Sequence, residues 1–134
     1  MKQIALLLFF LLLPSSGLYA QAPFYQGKTI TLIVGSGAGT AYDMYGRLLA
    51  NHIGKHIPGS PNVMVQNMPA AGGMVAANFV YEVAKPDGLT IASINPAHYF
   101  NQLQGNKEVK FDWTKFTWLA SSDKSEHMLY MRTD

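Results

Sequence analysis

Short apolar runs alternate with amphipathic stretches from residue 29 onward, and this alternation predicts the secondary structure. Residues 29–34, TITLIV, are β-branched or aliphatic and stop at a glycine, which is typical of a buried strand. Residues 41–53 follow with helical periodicity and end before Gly54, a common helix stop. The apolar positions of this helix share one face: Met44, Tyr45, Leu48, Leu49 and Ile53.

The same alternation continues through a second strand at residues 61–67, a helix at 74–84 and a third strand at 89–94. Strands that are apolar on both faces and are joined by helices are typical of a parallel sheet covered on both sides. The predicted fold class is therefore α/β, with the order β-α-β-α-β.

Beyond residue 96 the pattern predicts a short helix at 97–103 and two further strands at 117–122 and 127–133. The aromatic residues between them are interpreted as packing anchors rather than as a ligand platform: Phe111, Trp113, Phe116 and Trp118. The chain ends at Asp134 without a closing helix, so we expect a truncated protein.

The N-terminus has the organisation of a secretory signal peptide. Lys2 precedes ten uninterrupted apolar residues, 4–13, and a Pro-Ser-Ser-Gly break follows. The run is shorter than the roughly 20 residues that a membrane-spanning helix needs. We therefore predict a signal peptide at 1–20, with cleavage after Ala20 or, alternatively, Ala22, and a periplasmic mature protein that begins at residue 21.

Composition and charge narrow the function further. The 134 residues suffice for one domain, and charged residues make up only 13% of them. The net charge of +2 is spread along the chain without a basic cluster, which argues against nucleic-acid binding. There is no cysteine, and His52 and His56 have no third ligand nearby in sequence, so we expect no metal site.

The loop at residues 35–40, GSGAGT, lies between the first strand and the first helix. A dinucleotide-binding fingerprint requires glycine where this chain has Thr40, and a phosphate-binding P-loop requires a lysine that the loop lacks. A serine-nucleophile elbow would need its serine one position later than Ser36. We therefore expect no cofactor, and the remaining interpretation is a small anion held by main-chain N–H groups at a helix N-terminus.

Two roles remain open for Asp43. It completes a capping box in which Thr40 caps the helix, and it could equally contact a ligand. A second glycine turn, at residues 71–73, begins the next helix, and Asn95 follows the third strand. Because the carboxyl ends of parallel strands share one edge, loops 35–40, 68–73 and 95–98 are expected to meet there. The predicted ligand-binding residues are Ser36, Gly37, Ala38, Gly39, Thr40, Ala41, Tyr42, Asp43, Ala71, Gly72, Gly73 and Asn95.

Three blocks of this sequence resemble the periplasmic substrate-binding receptors of tripartite tricarboxylate transporters, the TctC or Bug family. They are KTITLIVGSGAGTAYDMYGRLLA, VQNMPAAGGMVAANFVY and AKPDGLTIASINP, which occur in the expected order between Lys28 and Pro96. The chain departs from the family pattern at Ala70, where a glycine is expected. If that position needs a positive φ, alanine costs about 1 kcal/mol there.

The resemblance implies a two-lobed type II periplasmic binding protein, of which residues 21–134 would be an incomplete first lobe. It further implies a non-enzymatic, monomeric receptor that delivers a small carboxylate to a membrane permease. The ligand would be a di- or tricarboxylate, an aromatic acid or an acidic amino acid. Two alternatives stay open: a secreted α/β enzyme with Asp43 and His98 as acid and base, and an inactive truncated fragment.

Overall fold

The fold, known from a computed structural model that describes residues 22–121, is built on a three-stranded parallel sheet. The strands are β1 (Thr29–Val34), β2 (Asn62–Asn67) and β3 (Thr90–Ser93). They are arranged in the order β2-β1-β3, and both pairings are parallel. The predicted α/β class is confirmed, and the sheet with its helices is consistent with a Rossmann-like lobe.

Three helices accompany the sheet: α1 (Ala41–Ile53), α2 (Met74–Glu82) and α3 (His98–Leu103). Turns of 3₁₀ helix follow α1 at Gly54–His56, precede α2 at Ala70–Gly73 and occur again at Trp113–Lys115. The bounds of β1 and α1 match the sequence prediction. α2 ends at Glu82, two residues before the predicted end at residue 84. The helical hydrogen-bond pattern stops there because the Val83 and Ala84 amides both bond to the Phe79 carbonyl.

β1 is the central strand and forms the middle of the core. Leu32, Ile33 and Val34 are consecutive and all buried. Since successive side chains of a strand point to opposite faces, burial of all three means that both faces of β1 are covered. This accounts for the uninterrupted apolar run in the sequence.

A second apolar cluster packs against α2. Met74, Ala77 and Phe111 form its buried centre, and Trp113 and Phe116 pack around them. The predicted role of these aromatic residues as packing anchors is confirmed for the three in this cluster, Phe111, Trp113 and Phe116.

The strand predicted at 117–122 is wrong for the described residues 117–121, which form no ladder. Trp118 instead packs on Trp113 with the two rings tilted by 44° and their centroids 4.6 Å apart, and this aromatic contact holds the segment against the cluster. The strand predicted at 127–133 and the signal peptide at 1–20 lie outside the described residues. Within residues 22–121, no helix is long and apolar enough to cross a membrane.

The apolar face of α1 points away from the sheet. Met44 and Leu48 are 62% and 58% exposed, whereas Asp43 and Gly46 are the buried residues of the helix. A Cβ atom at Gly46 would lie only 2.8 Å from Cγ2 of Val34, so the helix approaches β1 through the glycine. Close approach at Gly46 and polar bonds at Asp43 therefore set the rotation of α1. Most of its large apolar side chains face outward, whereas Ile53, predicted on the same face, is half-buried.

Candidate ligand-binding site

The three loops that leave the carboxyl ends of the strands surround one cavity of about 250 Å³. Parallel pairing brings these ends to the same edge, as the sequence predicts. Among residues 22–121, no charged side chain lines the cavity, and its walls come from all three loops and the start of α1. The lining residues are Gly35, Ser36, Gly37, Tyr42, Pro69, Gly72, Ser93 and Asn95.

The first loop offers main-chain donors. Gly35 N–H continues the sheet by donating to Ser93 O at 3.0 Å. Within residues 22–121, no protein acceptor takes the next three amides, those of Ser36, Gly37 and Ala38. These three amides precede Thr40, the N-cap of α1, by two to four residues. Main-chain N–H groups without partners near the positive end of a helix dipole can bind an anion.

Thr40 caps α1, as predicted, but Asp43 does not complete the expected capping box. The Thr40 hydroxyl accepts from Asp43 N–H at 3.4 Å. The Asp43 carboxylate takes the amide of Gly39, at 2.8 Å, rather than that of Thr40. The cap therefore reaches one residue further back, into the glycine loop itself.

Asp43 is buried and ties the first loop to β2. Its Oδ2 also accepts from Nε of Arg47 at 2.9 Å, and its Oδ1 accepts from Nδ2 of Asn67 at 2.8 Å. The second hydrogen of that Asn67 amide goes to Ser36 O at 2.9 Å. Both carboxylate oxygens are thus used to hold the loop, and Asp43 does not line the cavity.

These donors explain the acidity of Asp43. The side-chain bond from Arg47, then the Gly39 amide and then Asn67, lower the pKa of this carboxyl from its ordinary 3.8 to about 2. Pairing with Asp43 raises the pKa of the Arg47 guanidinium in turn. Asp43 is therefore an anion at neutral pH, engaged within the protein.

The second loop is a left-handed turn. Ala71, Gly72 and Gly73 have φ of 51°, 64° and 95° in succession. Ala70 does not have a positive φ, so the cost considered for that position does not arise. The unfavourable backbone conformation falls instead on Ala71, where a side chain is present.

The third loop supports the second. Asn95 Oδ1 accepts from Ala97 N–H at 2.9 Å, which is the turn expected of an Asn-Pro sequence. His98 is buried, with Nε2 3.1 Å from Gly72 O and Nδ1 3.0 Å from Nδ2 of Asn101. Since a carbonyl only accepts, Nε2 of His98 donates to Gly72 O.

Five of the twelve predicted site residues line the cavity, and the other seven do not. Ser36, Gly37, Tyr42, Gly72 and Asn95 line it. The remaining predicted residues lie in the supporting loops and the first turn of α1, outside the lining: Ala38, Gly39, Thr40, Ala41, Asp43, Ala71 and Gly73. Their assignment as ligand contacts stays a prediction.

Gly35 and Pro69 also line the cavity, and both lie in the loops that the sequence predicts at this edge. Sequence reasoning missed Ser93 in the lining, and Asn67 and Arg47 behind it. Ser93 and Asn67 are the last residues of β3 and β2. The rule that ligands gather at the carboxyl ends of parallel strands could have identified both. Nothing local in the sequence indicates that Asn67 bonds to Asp43. Among residues 22–121, no group of three or more His, Asp or Glu side chains could hold a metal ion.

The cavity lies at the carboxyl edge of the parallel sheet, which is where α/β domains commonly bind small ligands. Two curated relatives point to a particular family. The chain is 40% identical over 75 residues to a UPF0065 protein of Cupriavidus necator, and the aligned segment covers 56% of this chain and 22% of the relative. It is 37% identical over 72 residues to a UPF0065 protein of Bordetella bronchiseptica, and this aligned segment covers 54% of this chain and 21% of that relative.

The chain thus spans about a fifth of the length of the curated relatives that it matches. UPF0065 is the family also called Bug or TctC, so these partial homologues fit the resemblance that the sequence blocks indicate. No family model matches the chain, and no solved structure matches it either.

Proposed function

We propose that this protein is an extracytoplasmic solute-binding receptor that captures a small carboxylate in the cavity between its three loops. The observation that carries this proposal is the pair of amides at Ser36 and Gly37, two lining residues whose N–H groups no acceptor within residues 22–121 takes. They adjoin the N-terminus of α1, where an anion is favoured. Because the described part of the chain contributes no cationic side chain to the lining, main-chain donors would provide most of the attraction.

The relatives support the biological setting of the proposal. Bug-family proteins are periplasmic binding proteins that bind small ligands and work with transporter components. By that likeness, the partner of this protein would be the permease of a tripartite tricarboxylate-type transporter. The signal peptide predicted at 1–20 would direct the protein to the periplasm.

The proposed mechanism is closure over the ligand. The cavity would form one wall of the site, and a second lobe would supply the other. Closure follows ligand binding only if the ligand binds the closed form more tightly than the open form. A di- or tricarboxylate, an aromatic acid or an acidic amino acid could each present a carboxylate to the amides.

The enzyme alternative has less support, because its proposed acid and base, Asp43 and His98, do not line the cavity. Asp43 uses both oxygens within the protein, and both ring nitrogens of His98 have partners. Neither side chain lines the cavity. A receptor requires only binding, which the unpartnered amides of Ser36 and Gly37 support.

Isothermal calorimetry on the full-length protein tests the proposal. Citrate, succinate, benzoate and glutamate cover the candidate acids, and we expect at least one to bind and to raise the unfolding temperature. Ser93→Val removes a cavity hydroxyl and should weaken binding by about tenfold. Thr90→Val is the matched control, because Thr90 lies at the other end of β3. A well-folded protein that binds none of these acids would contradict the carboxylate assignment.

A further inference from the structure

The side of β3 that faces away from β1 carries unpaired main-chain groups. Amides of β1 and of the glycine that follows it donate to Leu89 O at 2.8 Å and to Ser93 O at 3.0 Å. Successive residues of a strand point their main-chain groups to opposite sides, so those of Thr90 and Ala92 point to the outer edge. β3 is the last strand of the sheet in the described part of the chain, and no described residue bonds to these groups.

This outer edge of β3 fits an extended segment of polypeptide. All four residues of the strand, Thr90–Ser93, are half-buried, so its main-chain groups are partly withdrawn from water. A main-chain amide or carbonyl in such a place costs free energy unless it has a hydrogen-bond partner. An open strand edge is a template to which another strand adds, because the added strand supplies those partners in the right spacing.

The last described residues lie close to the carboxyl end of β3. Ile94, which directly follows β3, and Trp113 both pack against the same buried cluster beside α2. Trp118 packs on Trp113, with ring centroids 4.6 Å apart, and so brings the chain near this end of the strand. Trp118 and Leu119 are 55% and 74% exposed, which leaves apolar surface beside the edge.

The chain that follows is long enough and apolar enough to use this edge. Residues 127–133, HMLYMRT, are the segment for which the sequence predicts a strand, with four consecutive apolar residues at 128–131. Residues 119–126 connect Trp118 to this segment and span up to about 27 Å when extended. The four residues of β3 are only about 13 Å long. An antiparallel course begins directly at the carboxyl end of β3, whereas a parallel one would first have to return along the whole strand.

We propose that the outer edge of β3 is the docking site of residues 127–133, which add to the sheet as an antiparallel fourth strand. The docked segment supplies hydrogen-bond partners for the main-chain groups of Thr90 and Ala92. It also closes an edge that would otherwise pair with another protein chain. This inference concerns the sheet and is independent of the ligand that the cavity takes.

Amide hydrogen exchange, followed by NMR on the full-length protein, tests the docking. The amides of Thr90 and Ala92 should exchange at least about tenfold more slowly than unbonded amides. The amides of Ile91 and Ser93, which face β1, are the internal reference and should be protected in every folded variant. Contacts between Hα protons of residues 127–133 and of Thr90–Ser93 give a second reading that needs no substitution, because antiparallel pairing brings such Cα atoms together.

Two proline variants identify the segment that pairs. Leu129→Pro and Tyr130→Pro are made separately, since adjacent residues of a strand point their amides to opposite sides and only one of the two faces β3. At least one of them should abolish the protection of Thr90 and Ala92. Ser125→Pro lies in the connecting residues and is the matched control that should retain it. Thermal unfolding checks that each variant folds.

Three results would overturn the proposal. Fast exchange of Thr90 and Ala92 in the unmodified protein would mean that the edge is unpaired. Protection that survives both Leu129→Pro and Tyr130→Pro would mean that another segment or partner holds the edge. Protection that disappears on dilution, together with a dimer mass in analytical ultracentrifugation, would identify a second copy of the chain as the occupant.

Discussion

The backbones of Gly35 and Gly73 are in direct contact, and this contact joins the first two loops. A Cβ atom at Gly35 would lie 3.3 Å from Cα of Gly73, and one at Gly73 would overlap the carbonyl oxygen of Gly35. Gly73 also has a φ of +95°. The glycines at these two positions therefore allow the N-terminus of α2 to lie against the carboxyl end of β1, beside the cavity.

Gly73→Ala should separate the loops. We expect it to lower the free energy of unfolding by roughly 3 kcal/mol, because a left-handed backbone and an overlap with Gly35 add together. Gly72→Ala is the control, since Gly72 is also left-handed, at +64°, but has open space around it. It should cost only about 1 kcal/mol. Urea unfolding measures both, and equal losses would mean that the Gly35 contact is unimportant.

Acid should destabilise the protein through Asp43. Its pKa is lowered from 3.8 to about 2 in the folded state, so its stabilising contribution is fully present above about pH 4 and is lost as the pH falls toward 2. Urea unfolding at a series of pH values should show this loss, and Asp43→Asn should remove that part of the pH dependence.

Asp112 is the matched comparison for the acid effect, because bonds from Thr114 lower the pKa of that carboxyl too. Asp112→Asn should leave the Asp43 contribution intact. If Asp43→Asn retained the full slope of the parent protein between pH 4 and 2, the network around Asp43 would not be the cause.

Gly46→Ala should destabilise the protein even though alanine favours helix. The gain in helix propensity is about 1 kcal/mol, whereas forcing a methyl group against the fully buried Val34 costs about 2 kcal/mol. We expect a net loss near 1 kcal/mol in urea unfolding. Asn51→Ala, at an exposed position of the same helix, should instead be neutral or slightly stabilising.

Leu48→Lys tests the outward orientation of the apolar face of α1. Leu48 is exposed, so we expect the free energy of unfolding to change by no more than about 0.5 kcal/mol. Leu32→Ala, in the fully buried central strand, should cost about 3 kcal/mol. A loss at Leu48 comparable to that at Leu32 would mean that this face is covered in the folded protein.

The candidate site was only partly predictable. The glycine loops were recognisable because an apolar run that stops at glycines before a helix is a local signal, and Asn95 follows a strand in the same way. The bonds of Asp43 to Asn67 and of His98 to Gly72 were not, because they join residues 24 and 26 positions apart. Through those bonds Asp43 and His98 support the loops around the cavity, and neither side chain lines it.

The sequence by itself determined the order of strands and helices and the α/β class, because hydrophobic periodicity is a property of each segment alone. It also indicated which loops would share an edge, since parallel strands leave no other arrangement. Only the tertiary structure decided which side of α1 meets the sheet. Periodicity groups Met44 and Leu48 on one face, but close approach at Gly46 and the bonds of Asp43 turn that face outward.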